Sequence, residues 1–270
     1  MRFSYSAIWE DTVALLRAHG SLAAALAGVF LFLPALLVGH FLPMPEPSNP
    51  ADLVPQTVAH FEANAHWILL SGIVNMAGTL AILLLVFRPG ALSVGGAIAA
   101  GLGLLIFYLV ANFLATIAFL LGLILFIVPG LYLIGRLLPL APVIVAENRR
   151  NPIEALSRTW ALTKGHGWAV LGMFLLVFIA GFILTAVIGG IIGAILILAL
   201  PEHLSAFLNL VVSSVLSAAL QVVTIFLYAA IYRALAARAE GAGATEAFAK
   251  PRTPARMTGT GTDGTGSGAA

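Results

Sequence analysis

The sequence predicts an all-α polytopic membrane protein, a bundle of six transmembrane helices with interfacial amphipathic helices beside it. Of the 270 residues, 61% are apolar and only 9% are charged, whereas about a quarter of the residues are charged in an ordinary soluble domain. Long uncharged windows also recur along the chain, and a membrane-spanning helix needs about 20 such residues. So few charges cannot cover the outside of a soluble fold of this length.

Six windows are long and apolar enough to be spans. They cover residues 22–41, 67–87, 94–114, 118–146, 168–188 and 207–231. Between residues 91 and 146 Arg136 is the only charged side chain, but one helix over this stretch would be about 84 Å long. A hydrocarbon core is about 30 Å thick, so we expect two crossings there. The first window lacks a convincing cleavage site after it, so we expect a retained span.

Lys and Arg fall only in alternate connections between these windows. The connections around residues 42–66, 115–117 and 189–206 contain neither residue type. Basic loops stay on the cytoplasmic side of a membrane. The pattern therefore predicts that both termini lie in the cytoplasm. The basic residues outside the windows are Arg2, Arg17, Arg88, Arg149, Arg150, Arg158, Lys164, Arg233, Arg238, Lys250, Arg252 and Arg256.

Two further segments are predicted to lack regular structure. Residues 240–270 are rich in Gly, Ala and Thr, and such a composition offers little to bury. We therefore divide the chain into a membrane domain, residues 1–239, and a disordered cytoplasmic tail, residues 240–270. Residues 42–55 contain five Pro and should be extended rather than helical.

Residues 148–168 form a charged insert between two apolar stretches. Asn151 is a good N-cap, Pro152 suits the first helical position, and Glu154 stands where a capping-box acid reaches back to the cap. Gly165 supplies a stop. The sequence thus predicts a helix over residues 152–164, and a second, weaker one over residues 5–19.

An apolar stripe on the 152–164 helix, formed by Ile153, Leu156 and Trp160, places it in the headgroup layer, with Trp160 and Trp168 at the interface. In one interpretation these helices only anchor the protein by the positive-inside rule. In the other, the insert binds anionic lipid, because each basic residue near the surface contributes about 1 kcal/mol to that attraction. The candidate residues are Arg149, Arg150, Arg158 and Lys164.

Arg136 is a further candidate for anion or lipid binding, because a charge inside a span is costly. No span contains an Asp or Glu to pair with it, so its partners must be carbonyls, amides, water or a lipid phosphate. In one interpretation it caps a helix break at Pro129-Gly130 or extends toward the cytoplasm. In the other it forms an anion site in a cavity.

Chemical sites are otherwise lacking in the sequence. The absence of Cys excludes disulfides and thiolate chemistry, and no Ser/His/Asp set or carboxylate pair lies at one membrane depth. Of His60, Glu62 and His66, only Glu62 and His66 share a helix face, which does not complete a metal site. We therefore predict no catalytic residue, cofactor or metal, and the net charge of +2 does not indicate nucleic-acid binding.

Small residues at Gly181, Thr185, Gly189 and Gly193 follow a spacing of four, which permits close helix approach. Alternatively, Gly189-Gly190 ends the fifth span and leaves residues 191–200 as an outer half-helix or a re-entrant piece. Both interpretations are structural.

The stretch FIVPGLYLIGRLLPLAPVIVAENRRNPIEALSRTWALTKGHGWAVLG, residues 126–172, resembles the core of YciC-like inner-membrane proteins. It also resembles the membrane domain found beside some glycerophosphoryl diester phosphodiesterases. The resemblance implies a six-helix integral membrane protein of the bacterial inner membrane. In those phosphodiesterases the chemistry lies in an attached soluble barrel, which needs at least about 200 residues, and no His-Arg-Gly signature occurs here. We therefore expect no phosphodiesterase activity.

These observations leave two functional hypotheses. The first is a non-enzymatic protein that binds membrane lipids or a protein partner, including another copy of itself. The second is a transporter or lipid-translocation component with a cavity around Arg136. Transport predicts a polar cavity that joins Arg136 to Asn75, Asn112 or Gln221, whereas a scaffold predicts that those amides are buried in helix contacts.

Overall fold

The computed structural model describes residues 4–45, 49–88, 90 and 92–249, with side chains described as far as residue 240. The regular structure in these residues is helical throughout. The helices are α1 (Tyr5–Ala27), α2 (Leu33–Phe41), α3 (Leu53–Phe87), α4 (Val94–Leu125), α5 (Ile127–Leu137), α6 (Leu140–Ala146), α7 (Pro152–Leu162), α8 (Gly167–Ala199) and α9 (Glu202–Ala249).

Six helical stretches are long and apolar enough to cross a membrane, which confirms the predicted fold class. They are Tyr5–Phe41, Pro50–Phe87, Val94–Leu125, Ile127–Ala146, Gly167–Ala199 and Glu202–Glu240. Helix α9 includes the first ten residues of the predicted tail, 240–249, and residues 250–270 lie outside the described part of the chain.

The predicted interfacial helix over residues 5–19 is not a separate element. It forms the start of α1, which continues through a π-helical turn, Gly28–Phe32, into α2. No Pro interrupts the stretch, and Gly20 stays helical, so nothing in the sequence ends the helix before the first span.

The prediction of an extended segment over residues 42–55 is only partly right. Residues 43–45 have no regular structure, but a 3-10 turn at Pro50–Asp52 leads into α3 at Leu53. Asn49 caps the turn, because its side chain accepts a hydrogen bond from the Ala51 amide at 3.1 Å. Pro50 and Pro55 lie in first turns of helix, where the backbone N–H groups have no partner within the helix, so Pro loses no hydrogen bond there.

The predicted connection at residues 115–117 is wrong, because α4 continues to Leu125. The chain breaks instead at Phe126, whose backbone is extended. Pro129 explains this position, since it has no N–H to donate to the Leu125 carbonyl and α4 cannot continue through it. Gly122 and Gly130 then let the two helices approach closely: a Cβ on Gly122 would lie 3.2 Å from the Gly130 Cα atom.

Helix α8 is continuous from Gly167 to Ala199, so the alternative of a half-helix over residues 191–200 is wrong. The small-residue row does permit close approach to α9. Side chains added at Gly181 and Gly189 would meet Leu220 and Leu216, and one at Gly193 would meet Asn209. The chain turns at Leu200-Pro201 instead, where Pro201 cannot continue the helix.

Helix α5 packs against the start of α8. The rings of Tyr132 and Trp168 lie 5.6 Å apart, and Gly135 packs directly against Gly167 and Leu171. Val128 and Pro129 also line a shallow pocket together with Gly165.

The apolar core lies where α3, α6 and α9 meet. It is formed by side chains with almost no exposed surface, chiefly Leu80, Ile82, Leu83, Leu84, Val143, Ile144, Val145, Phe226, Leu227 and Ile231. This core holds the ends of α3 and α6 against α9, and thereby positions Arg88, Glu147 and Arg233, which follow shortly after its residues in the chain.

Candidate functional site

One end of the bundle carries the charged side chains, and we call it the basic end. Tyr232 of α9 donates a hydrogen bond to Glu147 at 3.3 Å and contacts the ring of Phe87 at the end of α3. Arg233, the next residue, forms a 3.0 Å salt bridge with Asp11 of α1. Arg88, Glu147 and Arg233 therefore lie at the same end.

Glu147 organises the basic end. It follows α6, its side chain is only 18% exposed, and it accepts hydrogen bonds from Nε of Arg149 at 2.7 Å and from Nε of Arg158 at 2.9 Å. Burial raises the pKa of Glu147, but the two guanidinium groups outweigh burial and hold the pKa below its ordinary value of 4.5. Arg149 and Arg158 are thus already paired within the protein.

Arg150 and Lys164, the other two predicted lipid-binding residues of the insert, are exposed. Within the described part of the chain, neither has a carboxylate within salt-bridge distance. The predicted set therefore divides into two paired and two free cations. Arg17 and Arg88 are exposed in the same way.

Helix α7 begins as predicted. The Asn151 side chain accepts hydrogen bonds from the backbone amides of Ile153 at 3.0 Å and Glu154 at 3.4 Å. Glu154 does reach back to the cap, but it accepts from the Asn151 side-chain amide at 3.1 Å. The helix ends at Leu162, and Gly165 has the left-handed backbone, φ 75°, that favours glycine.

The face of α7 that packs on the bundle carries Ala155, Thr159 and Leu162. Two residues of the predicted stripe point outward, since Ile153 is 70% exposed and Trp160 is 44% exposed, whereas Leu156 is partly buried and packs against the core. Trp168 is also exposed. Apolar and cationic side chains thus share the outer surface of α7 and its flanking turns, an arrangement typical of helices at a bilayer interface.

Arg136 is buried under α7, with 4% of its surface exposed. It donates to the Tyr132 hydroxyl at 2.9 Å and to the Trp160 carbonyl, and its guanidinium carbon lies 3.9 Å from the centre of the Trp160 ring. Its Nε atom is buried and has no hydrogen-bond partner among the described residues. The prediction of a carbonyl partner is confirmed, but the carbonyl belongs to α7 and not to the Pro129-Gly130 break.

The amides proposed as partners of Arg136 lie elsewhere. Asn75 and Gln221 bond to each other across α3 and α9, and both line a polar cavity together with Asn112. Arg136 does not line this cavity. Among the described residues, the cavity lined by these amides therefore does not include Arg136, although the transport hypothesis requires that it does.

No group of three His, Asp or Glu side chains in the described residues is arranged to hold a metal ion.

The comparisons with known proteins identify one family of membrane domains. Residues 107–239 match the family described as the membrane domain of glycerophosphoryl diester phosphodiesterase. The matched stretch of this membrane-domain family begins within α4 and includes Arg136, Glu147 and all of α7 and α8. The resemblance to this family is confirmed, and the resemblance to YciC-like proteins stays a prediction. No curated protein and no solved structure matches the chain.

Sequence reasoning did not identify Glu147, Tyr232 or Tyr132 as partners of the basic residues. The signal for Glu147 was available, because it is the only acid between residues 63 and 153 and stands beside two arginines. Its contact with Tyr232 joins residues 85 positions apart, and no local spacing indicates such a pair.

Proposed function

We propose that this protein is a non-enzymatic integral membrane protein that binds anionic lipid headgroups at its basic end, which faces the cytoplasm of a bacterial cell. One observation carries the proposal: Arg150 and Lys164 are exposed, and neither pairs with a described carboxylate, beside the outward-facing Ile153, Trp160 and Trp168. The apolar side chains keep this surface at the interface, and the two cations then lie at headgroup level.

The remaining candidates have structural roles in this proposal. Arg149 and Arg158 hold α7 to the end of α6 through Glu147. Arg136 holds α7 to α5 through the Trp160 carbonyl. These contacts fix the orientation of α7 and thereby hold Arg150 and Lys164 on its outer side.

Lipid retention tests the proposal. The protein is reconstituted in nanodiscs of phosphatidylcholine with a minor share of phosphatidylglycerol, extracted in mild detergent, and analysed by native mass spectrometry. Arg150→Gln with Lys164→Gln should reduce the retained phosphatidylglycerol about 25-fold relative to phosphatidylcholine, since each cation contributes about 1 kcal/mol.

The matched control is Arg150→Lys with Lys164→Arg, which keeps both charges and should retain phosphatidylglycerol like the unchanged protein. Equal retention by the Gln variant and the control would exclude these residues as the lipid site. Loss of retention in both variants would exclude a simple electrostatic site.

A further inference from the structure

A cavity of about 410 Å³ lies between α3, α4, α5, α6 and α9, apart from the basic end. Its volume is within the range of about 300–1,000 Å³ that is usual for small-molecule sites. Its polar lining consists of amides and hydroxyls, with no charged side chain among the described residues. The polar lining residues are Asn75, Thr79, Tyr108, Asn112, Thr116, Gln221, Thr224 and Tyr228.

Part of this polar lining has no partner in the protein. Within the described residues, the Asn112 carboxamide and the hydroxyls of Tyr108 and Tyr228 make no hydrogen bond, whereas Asn75 and Gln221 satisfy each other. The Thr116 and Thr224 hydroxyls donate to carbonyls of their own helices at 2.8 and 2.9 Å, which leaves their oxygen atoms able to accept.

Unpaired polar groups are costly in a bilayer, where no water replaces the missing bonds. Two hydroxyls and a carboxamide facing one cavity therefore favour an occupant that both donates and accepts hydrogen bonds. A charged headgroup does not fit, because no opposite charge would offset its desolvation.

The surroundings indicate the route to the cavity. Thr116 is exposed on α4, next to the outward-facing Ile117 and close to Phe113, which is 65% exposed. Such a lipid-facing surface is accessible from the bilayer. The other lining residues include Leu133, Leu137 and Ile225, which suit the apolar part of an amphiphile.

We propose that this cavity binds the head of an uncharged lipid that carries free hydroxyl groups, with Tyr108, Asn112 and Tyr228 as its hydrogen-bonding residues. The proposal is independent of anionic-lipid binding at the basic end, because it concerns different residues and an uncharged ligand. Free polyols share the hydroxyl chemistry, and the competition experiment separates the two sources.

The probe is a diacylglycerol with a photoactivatable diazirine in one acyl chain, mixed into phosphatidylcholine nanodiscs that contain the full chain. Tyr108→Phe with Tyr228→Phe removes two hydroxyls and keeps the cavity shape. Each lost hydrogen bond should weaken labelling about fivefold, and Asn112→Leu should act in the same direction. The control is Thr185→Val, whose hydroxyl lies outside the cavity and bonds to the Phe182 carbonyl; its labelling should not change.

Unlabelled dioleoylglycerol should compete with the probe, whereas trioleoylglycerol, which lacks a hydroxyl, and phosphatidylglycerol should not. Competition by free glycerol would overturn the assignment to a lipid. Equal labelling of the Phe variant and the unchanged protein, at equal thermal stability, would overturn the site itself. The Arg150→Gln, Lys164→Gln variant should be labelled like the unchanged protein. The labelling experiment therefore tests the cavity independently of the proposal for the basic end.

Discussion

The side-chain amides of Asn75 and Gln221 donate hydrogen bonds to each other across α3 and α9, with N–O distances of 3.1 and 2.9 Å. This reciprocal pair satisfies two polar groups at once at the edge of the cavity between α3, α4 and α9. Asn75→Leu leaves the Gln221 carboxamide without its partner and should lower the free energy of unfolding by about 1–2 kcal/mol.

The double variant Asn75→Leu, Gln221→Leu should recover much of this loss, because it removes both polar groups together. Thermal unfolding of the single and double variants in the same detergent checks the cycle. Losses that simply add would show that the two amides act independently.

Glu147 makes the stability of the basic end depend on pH. Its folded-state pKa lies below the ordinary value of 4.5, so the ionised form stabilises the fold fully above that value. The contribution is lost as the pH falls through the folded-state pKa. The melting temperature of the unchanged protein should therefore decrease below about pH 4.5.

Glu147→Gln should lower the melting temperature at pH 7, because a neutral amide accepts weaker hydrogen bonds from Arg149 and Arg158 than a carboxylate does. We expect the free energy of unfolding to fall by about 1–3 kcal/mol. Its stability should then depend less on pH between 6 and 3 than that of the unchanged protein. Glu62→Gln, at a residue for which no partner is seen in the described structure, serves as the control. Parallel acid profiles for Glu147→Gln and the unchanged protein would contradict the assignment.

Arg136 should behave as a structural residue. Arg136→Gln loses the contact with the Trp160 ring and the charged hydrogen bond to the Trp160 carbonyl, which together are worth about 2–3 kcal/mol when desolvated. We expect reduced thermal stability and reduced accumulation. The exposed Arg150→Gln should change stability by less than about 0.5 kcal/mol. Normal stability of Arg136→Gln with loss of bound anionic lipid would instead support a lipid site at Arg136.

The sequence was sufficient for the fold class and for α7, because both depend on local signals. Composition and window length indicate membrane helices, and Asn151, Pro152 and Gly165 mark the ends of α7 within a few residues. The predicted end of α4 is wrong because residues 115–125 contain no Pro, and Gly122 stays helical. The decisive residue, Pro129, acts four positions upstream on the Leu125 carbonyl, and a search for uncharged windows does not register that effect.

The site depended on tertiary contacts that spacing does not indicate. Arg136 was correctly identified as unusual, but its partner Trp160 lies on another helix, 24 positions away. The sequence predicts that the stripe of Ile153, Leu156 and Trp160 lies at the interface. Ile153 and Trp160 do face outward, whereas Leu156 packs against the core. The packed face uses Ala155 and Thr159 because small side chains let α7 approach the bundle.

Gly135 fixes the distance between α5 and α8. A Cβ on Gly135 would meet the Gly167 carbonyl oxygen and would lie 2.8 Å from the Leu171 Cβ atom. Gly135→Ala should therefore force the helices apart and cost about 1–3 kcal/mol of stability. Gly103→Ala is the matched control, because nothing lies within 4 Å of a Cβ there, and it should be neutral or slightly stabilising. Equal stability of the two variants in thermal unfolding would contradict close packing at Gly135.

The turn at Phe126 should face the opposite side of the membrane from Arg150. Helix α4 begins a few residues after Arg88, at the basic end, and its 32 residues extend over about 48 Å. The stretch Ile127–Ala146 then returns the chain to Glu147 at the basic end, so Phe126 lies at the other end of the bundle. The chain contains no Cys, which allows single-cysteine variants to be labelled with a membrane-impermeant maleimide. Phe126→Cys and Glu202→Cys, at the start of α9, should react from one side of sealed vesicles, and Arg150→Cys from the other. Labelling in detergent controls for the reactivity of each thiol. A Phe126→Cys thiol that reacts together with Arg150→Cys would mean that α4 does not cross the bilayer, and would contradict the arrangement of six spans.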